Sequence, residues 1–302
     1  MRVFVTGANG FVGHWLVRDL AAHGHAVVET PGPEDLDIAD RTAVARWLDD
    51  PAGPPDAVVH LAGMAFAPDA GADPAEAFRV NVGGTVALFE ALRSLDIRPV
   101  VLVSGSADVY GLPDRASLPL REDSLIAPCT PYALSKAAQE AVAAEAATRF
   151  DFPVVVTRSF NHTGPGQRPV FVVPAMATRI MAVRRGQAAA IPVGNVDVER
   201  DMTDVRDVVA AYRLLLETAN VARPGKCLVT NVASGRSYSV RTMINRMCEI
   251  AGVPPLLAKE ESLLRKNDAV EIRGDASTLR RLTGWAPAIP LDQTLTDVLD
   301  SI

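Results

Sequence analysis

A glycine-rich turn near the start of the chain constrains its fold most strongly. An apolar run over residues 3–6 leads into Gly7-Ala8-Asn9-Gly10-Phe11-Val12-Gly13, and a helical pattern follows. Glycines at a strand-to-helix turn let the backbone approach a pyrophosphate, and the helix N-terminus presents unpaired amides and the positive end of its dipole. Gly13 also lets the helix pack closely on the strand. The turn therefore predicts a dinucleotide-binding loop.

Short apolar runs alternate with helical patterns through the first half of the chain. The predicted strands span residues 3–6, 26–29, 57–61, 100–104 and 154–158. The predicted helices span residues 12–22, 42–48, 75–95, 132–149, 205–218, 240–251 and 291–301. This alternation is typical of βαβ units, and the continuous Val, Leu and Ile runs fit parallel strands buried on both faces.

The pattern predicts an α/β fold with a Rossmann-like, doubly wound parallel sheet. We assign residues 1–160 to an NAD(P)-binding domain and residues 161–302 to a smaller α/β substrate lobe, because Pro and Gly interrupt the second half repeatedly. The lobe is expected to be interleaved with the end of the sheet. Ligands are expected in the crevice beyond the carboxyl ends of the strands.

Composition and charge exclude several classes of protein. The 302 residues carry a formal charge of −6, which argues against general affinity for nucleic acid because polyanion binding needs a basic face. No apolar run approaches the ~20 residues of a membrane helix, and no charged leader precedes the first strand. The three cysteines and five histidines lack disulfide or metal-ligand spacing. We expect a cytoplasmic protein without metal, membrane or nucleic-acid partners.

A Tyr-x-x-x-Lys pair, Tyr132 and Lys136, lies at the start of a predicted helix. Residues four apart share one helix face, so the phenol and the ammonium are expected on one edge of the cleft. A neighbouring cation favours the phenolate, which is expected to lower the pKa of Tyr132 toward neutral-pH acid–base work. The segment 104–111, with Ser104 and Ser106, directly follows the fourth strand, where ligands bind in such sheets.

The Gly-x-x-Gly-x-x-Gly turn, Tyr-x-x-x-Lys and the Ser-x-x-x-Tyr-Gly segment resemble the extended branch of the short-chain dehydrogenase/reductase family, of the NAD-dependent epimerase/dehydratase type. The resemblance implies that Ser106 hydrogen-bonds the reacting carbonyl oxygen while Tyr132 gives or takes its proton. Lys136 is expected to bind the nicotinamide ribose. Asp108 stands where related dehydratases place a Glu that removes a proton from the sugar, and either an auxiliary acid role or a structural hydrogen bond is open for it.

The expected cofactor is NAD or NADP, and the sequence leaves the choice open. Glu29 lies one or two residues before the position that usually holds the ribose 2′-hydroxyl, and no Arg follows it to accommodate a 2′-phosphate. The residues expected to bind the cofactor are Gly7, Asn9, Gly10, Phe11, Val12, Gly13, Thr30, Asp37, Ile38, Leu61, Ala62, Gly63, Asn81, Ser104, Tyr132, Lys136 and Ser159.

The second half carries segments at 158–167, 194–207, 264–268 and 282–287 whose order and spacing resemble the GDP-4-keto-6-deoxy-mannose reductases and, slightly less closely, the GDP-mannose 4,6-dehydratases. This resemblance spans the whole chain and implies a nucleotide-diphosphate sugar, GDP-linked, as partner. Guanidinium forks match phosphate oxygens, so Arg200 and Arg265 are expected to clamp the diphosphate; the alternative is that they are surface or ion-paired residues. The other expected substrate residues are Asn161, Val172 and Asp268.

Three functions follow as hypotheses. The first is NAD(P)H-dependent reduction of the C4 ketone of a nucleotide-linked 4-keto-6-deoxy hexose, in deoxysugar biosynthesis. The second is a nucleotide-sugar epimerase or 4,6-dehydratase that retains NAD(P) through the turnover. The third, a dinucleotide-sensing protein without activity, conflicts with the presence of Tyr132 and Lys136. A homodimer is also expected from the family resemblance, through apolar helix faces over residues 86–95 and 142–147.

Overall fold

A parallel sheet of six strands forms the centre of the computed structural model, which describes residues 1–218, 221–264 and 268–302. The strands, in sheet order, are β2 (Ala26–Glu29), β1 (Arg2–Thr6), β3 (Ala57–His60), β4 (Val100–Ser104), β5 (Pro153–Ser159) and β10 (Lys226–Val232). The predicted fold class is confirmed. Because β10 comes from the second half of the chain, that half contributes to the same sheet, and the two-part division stays a prediction.

Helices flank the sheet and build the lobe. They are α1 (Phe11–Ala22), α2 (Arg41–Leu48), α3 (Ala67–Ala72), α4 (Pro74–Phe78), α5 (Gly84–Ser94), α6 (Pro131–Phe150), α7 (Val172–Arg184), α8 (Val205–Glu217), α9 (Val240–Ala251), α10 (Ser277–Thr283) and α11 (Leu291–Asp300). The remaining strands are β6 (His162–Thr163), β7 (Ile191–Val193), β8 (Glu199–Asp201), β9 (Thr203–Asp204), β11 (Ser237–Ser239), β12 (Leu257–Lys259) and β13 (Glu271–Ile272). They form three small sheets outside the central one.

The predicted helix over residues 75–95 is wrong in one respect, because it is interrupted. A π-helical turn, Arg79–Gly83, separates α4 from α5. Within this turn the buried Asn81 accepts a hydrogen bond from the amide of Met64 and donates to Ser135 on α6, at 2.8 Å each. Single π-turns often occur at functional sites, and this one brings an amide side chain inward between two neighbouring segments.

The strand order reverses beside β1, whose two neighbours are β2 and β3. In open α/β sheets a ligand crevice forms at this switch point, outside the carboxyl ends of the strands. Thr6, His60 and Ser104 end β1, β3 and β4 on that edge. The topology therefore places the glycine loop and the segment after β4 at one cleft.

Two apolar clusters cover the two faces of the sheet, and a third fills the lobe between α7, α9 and α11. The apolar residues expected at a dimer face are largely used inside the subunit, since Leu88, Phe89, Leu92 and Ala143 are buried. Val86, in contrast to these four residues, is exposed, at 43%. The periodicity of α5 therefore marks a core face rather than an unpartnered one.

Within the three described stretches, no helix is long and apolar enough to cross a membrane. The same stretches hold no group of three or more His, Cys, Asp and Glu side chains placed to bind a metal ion. Cys129 is exposed, Cys227 half-buried and Cys248 buried, and all three are free thiols.

Candidate active site

The glycine loop packs tightly against the turn after β3. Gly7 has a φ of 69°, and a methyl group there would lie 2.7 Å from the amide nitrogen of Ala62. A methyl group at Gly13 would lie 2.2 Å from the carbonyl oxygen of Gly7. The amide of Gly7 donates to the Thr30 hydroxyl at 3.1 Å, which ties the loop to the end of β2. Both glycines are therefore required by close approach of the backbone.

We expect Gly13→Ala to displace this loop, because the three atoms nearest to the added methyl group all belong to the backbone of Gly7 and Ala8 and cannot yield as a flexible side chain would. Overpacking of this kind costs about 1–3 kcal/mol of unfolding free energy, and binding of NADH and NADPH should weaken as the loop moves. Denaturant unfolding and cofactor fluorescence measure the two effects. Gly71→Ala is the matched control: a methyl group at Gly71, in α3, meets nothing within 4 Å, so stability should stay equal or rise slightly. Equal behaviour of the two variants would contradict the close-packing argument.

The start of α1 fits a dinucleotide diphosphate. Its N-cap residue is Gly10, no side chain caps the helix, and its first turn carries no acidic residue. The first amides of the helix are thus left to a ligand, and the dipole favours an anion there. The residues present therefore fit the diphosphate of NAD or NADP, with Asn9, Phe11 and Val12 in the same loop.

The adenosine end of the predicted cofactor site contains an ion pair. The Asp37 carboxylate accepts from the Ala39 amide at 3.0 Å and from Arg79 at 2.6 Å. These contacts, led by the Ala39 amide, hold the pKa of Asp37 below its ordinary value. Ile38 is buried against Gly84 at the start of α5. Asp37 is thus engaged by Arg79, and its predicted role at the adenine stays a prediction.

The first residues of α6 place the Tyr–Lys pair. Thr130 caps the helix by accepting from the Ala133 amide at 3.1 Å, and Pro131 occupies its first turn, where a missing N–H costs nothing. Tyr132 follows at once, and Lys136 lies one turn further on the same face. Both side chains are buried. The cap therefore fixes where the phenol enters the cleft.

Ser106 and Tyr132 meet at the carboxyl end of β4. The Ser106 hydroxyl caps the 3-10 turn Ala107–Tyr110 by accepting from the Asp108 amide at 3.1 Å, and it lies near enough to the phenol to lower the pKa of Tyr132. A hydroxyl has one donor and two acceptor positions, so this cap leaves the O–H of Ser106 able to donate. The two hydroxyls can thus both donate a hydrogen bond to one carbonyl oxygen of a ligand.

The protonation of the pair differs from the expectation. Burial, followed by the negative charge of Asp108, raises the pKa of Tyr132 above its ordinary value, and the neighbouring Ser106 hydroxyl offsets this only in part. The prediction that Lys136 lowers the pKa of Tyr132 is therefore wrong for this arrangement. Lys136 instead donates to the Ser104 carbonyl and to Gln139, at 2.8 Å each. Burial lowers the pKa of Lys136 to about 8.

Two predicted cofactor residues, Ser104 and Ser159, are joined by a tyrosine from the lobe. The Tyr212 hydroxyl, on α8, lies 2.7 Å from the Ser159 hydroxyl and 3.4 Å from that of Ser104. Asn81 links the turn at Met64 to α6, as described above. Gly63 lies beside Lys136, since a methyl group there would be 3.7 Å from the Lys nitrogen. Ser104 and Ser159 thus share a contact with Tyr212, and Gly63 lies beside Lys136, which itself donates to the Ser104 carbonyl.

The substrate residues predicted in the lobe are not all brought together. Arg200 donates to the Ala269 carbonyl at 2.9 Å and forms an ion pair with Asp268, so two predicted residues bind each other. Asn161 is exposed just beyond β5, and Val172 begins α7. Arg265 lies outside the described residues. The diphosphate clamp therefore stays a prediction, with Arg200 engaged by a carboxylate.

Several site residues were missed in the sequence. His162 stacks on Phe11 of the glycine loop, with parallel rings 6.3 Å apart, and so joins the lobe to the dinucleotide loop. Gln139 is bonded to Lys136, and the spacing of three residues along α6 was a signal for that contact. Tyr212 offered no such local signal, because it reaches the site from α8 in the lobe.

Comparison with known proteins gives one family and several relatives. The family model described as the NAD dependent epimerase/dehydratase family matches residues 3–233. The GDP-6-deoxy-D-mannose reductase of Pseudomonas aeruginosa is 36% identical over 300 residues, covering 99% of this chain and 96% of that protein. The GDP-6-deoxy-D-talose 4-dehydrogenase of Aggregatibacter actinomycetemcomitans is 28% identical, covering 94% and 92%. The solved structure of RMD from Pseudomonas aeruginosa complexed with NADPH has a TM-score of 0.90 at 35% identity, covering 99% and 98%.

Proposed function

The chain belongs to the NAD-dependent epimerase/dehydratase family, and we propose that it reduces the C4 ketone of a GDP-linked 4-keto-6-deoxy hexose with NAD(P)H. It is an NAD(P)-dependent oxidoreductase, with relatives that include a reductase and a dehydrogenase of GDP-linked deoxysugars. The solved structure of RMD from Pseudomonas aeruginosa is a complex with NADPH.

The placement of the buried Tyr132 phenol beside Ser106, two residues beyond the end of β4, is the single observation that carries the proposal. When bound at the glycine loop, NAD(P)H would supply the hydride that the ketone carbon accepts. Ser106 donates a hydrogen bond to the ketone oxygen, and Tyr132 gives its proton to that oxygen as it gains charge. Because its pKa is raised, Tyr132 carries this proton throughout the neutral range. A buried phenol that keeps its proton is suited to act as an acid, which favours reduction.

The acids around the site favour reduction over dehydration. Ala107 is buried and precedes Asp108, which is exposed on the same short turn. Elimination of water needs a base to take a proton from the sugar and an acid for the departing hydroxyl. On this turn Asp108 is the only carboxylate, whereas ketone reduction needs only the proton of Tyr132. Of the two runner-up activities, a dehydratase thus requires more groups than this turn supplies, whereas a C4 epimerase with retained NAD(P) needs the same phenol as the reductase and is separated from it by the need for added reductant.

Incubation of the purified protein with GDP-, dTDP- and UDP-linked 4-keto-6-deoxy hexoses, with NADH or NADPH, tests the proposal. We expect the absorbance of the reduced nicotinamide to fall with the GDP-linked sugar, and NMR to show a hydroxyl at C4 of the product. The absence of oxidation with every sugar and both cofactors would reject reduction. Conversion of a nucleotide sugar without added reductant, with cofactor copurifying, would favour the epimerase or dehydratase instead.

We also propose that the enzyme works in the cytoplasm as a homodimer. Exposed apolar side chains on neighbouring helices, Phe78 on α4, Val86 on α5 and Leu134 on α6, support a subunit contact there. The net charge of −6 and the site residues support small-molecule rather than nucleic-acid partners.

A further inference from the structure

A row of buried polar side chains lies behind Lys136. An ammonium has three N–H donors, and two of those of Lys136 are taken by the Ser104 carbonyl and by Gln139 Oε1, at 2.8 Å each. Gln139 follows one turn later on α6 and is 1% exposed. One donor is left for a ligand, and the exposed Gly63 lies next to the Lys nitrogen.

The neighbours of Gln139 fix the orientation of its amide. Gln139 Nε2 donates to the Thr85 hydroxyl at 2.9 Å, and Thr85 itself donates to the Asn81 carbonyl at 2.7 Å. Because the Thr85 proton is already used, its oxygen must accept from Gln139. A flipped amide would face the Lys136 ammonium with its own N–H groups. The amide oxygen is therefore held toward Lys136.

His60 completes the row as a neutral ring. The Thr6 oxygen accepts from the amides of Leu61 and Ala62, at 3.1 Å each, so its O–H donates to His60 Nδ1 at 2.8 Å. The ring proton then lies on Nε2 and points to Thr85, 3.1 Å away. Burial lowers the pKa of His60 to about 3, which keeps the ring neutral.

Donors from both ends of the row converge on Thr85. Gln139 and His60 each point an N–H group at the Thr85 oxygen, so no hydrogen bond leads from Lys136 onward to His60. An amide also does not exchange protons as a hydroxyl or an imidazole does. The row is thus suited to hold Lys136 in place and unsuited to carry its proton away.

We propose that Gln139 is a positioning residue for Lys136: it holds the ammonium charged and directs its remaining N–H to the ribose of NAD(P)H. The proposal rests on the proposed function only for the role of Lys136. The titratable group that feels the charge of Lys136 is His60 from β3, while Asp108 from the turn after β4 and Tyr212 from α8 face Tyr132 on the same helix. Of these, His60 is neutral and Asp108 acts on Tyr132, so Gln139 is the side chain whose change bears directly on Lys136.

Two substitutions at Gln139 should shift, in opposite directions, the pH at which kcat is lost on the alkaline side. We call this part of the pH profile the alkaline limb, and its position is given as a pH. Gln139→Glu places a negative charge beside the ammonium, which favours the charged form, so the limb should rise by about one pH unit or more. Gln139→Leu removes an acceptor from a buried cation, so Lys136 should lose its proton at a lower pH and the limb should fall. The limb belongs to the coupled Tyr132–Lys136 pair, and both groups shift in the same sense. The assay is kcat against pH with the GDP-linked 4-keto-6-deoxy hexose.

A second readout needs no sugar: the pH dependence of NADH and NADPH binding, followed by cofactor fluorescence, should show the same opposite shifts. Opposite shifts in binding without any turnover would reject the proposed function and leave the role of Gln139 standing. Gln187→Glu makes the same change of charge at an exposed glutamine and should leave the limb unmoved. If Gln139→Leu fails to fold, the shift in Gln139→Glu decides. A wild-type limb in Gln139→Glu overturns the proposal.

Discussion

Tyr132→Phe should lower kcat for ketone reduction by about 10²–10⁴-fold, the range that a positioned general acid contributes. The substitution removes one hydroxyl and keeps the ring, so the apolar contacts of this buried side chain with Ala70 and Ala77 remain. The affinity for NADH and NADPH should stay close to that of the wild type, since the glycine loop and Lys136 are untouched. Steady-state kinetics and cofactor fluorescence separate the two quantities.

Tyr110→Phe provides the matched control. Tyr110 is also buried, but its hydroxyl donates to Asn231 at 2.7 Å and accepts from Arg158 at 3.0 Å, with no bond to Ser106 or Tyr132. Loss of those bonds should cost about 1–2 kcal/mol of stability and leave most of the activity. Full activity in Tyr132→Phe would show that this phenol is not the acid. Loss of cofactor binding in that variant would assign Tyr132 to binding rather than to proton transfer.

The elements of the sheet could be predicted because buried parallel strands and amphipathic helices have strong periodic signals. Each of the five predicted strands starts and ends within one residue of its position in the structure. β10 was missed because Lys226–Val232 is only partly buried over its first half and carries polar residues. The break at residues 79–83 was missed although Asn81, Gly83 and Gly84 are poor helix formers, because the inward turn of Asn81 depends on its contacts with Met64 and Ser135.

The site residues that could be predicted are those whose relative positions are set by short spacings in the sequence. Gly7, Gly13, Tyr132 and Lys136 lie in motifs whose geometry is set within one turn, and the structure brings them to one edge of the sheet. The pKa of Tyr132 could not be predicted in this way, because burial and Asp108 act on it across the fold. Electrostatic effects of this kind depend on which elements pack together rather than on sequence spacing.

An ion pair behind the site connects its two catalytic segments. Arg158, on β5, donates to both oxygens of Glu140 on α6 and also to the Tyr110 hydroxyl and the Glu122 carbonyl. Glu140 lies one turn beyond Lys136, and Tyr110 ends the turn that carries Ser106. The Arg158 side chain is 6% exposed and that of Glu140 16%. The pair therefore ties α6 to the turn after β4 within a buried layer.

Arg158→Met should lower the unfolding free energy by about 3–5 kcal/mol, because the buried carboxylate of Glu140 then loses its partner. Arg93→Met is the control: Arg93 pairs with Glu90 on the exposed side of α5, and its loss should cost about 0.2–0.5 kcal/mol. Chemical denaturation of both variants measures the difference.

The double variant Arg158→Met with Glu140→Leu distinguishes the cause of that loss. If the cost of Arg158→Met arises from an uncompensated buried charge, removing the carboxylate as well should restore part of the stability. If it arises from the lost bonds to Tyr110 and Glu122, the double variant should be no more stable than the single one. Restored stability with low activity would further show that the pair, beyond supporting the fold, sets the distance between Ser106 and Tyr132, because the apolar replacement fills space without fixing the turn to α6.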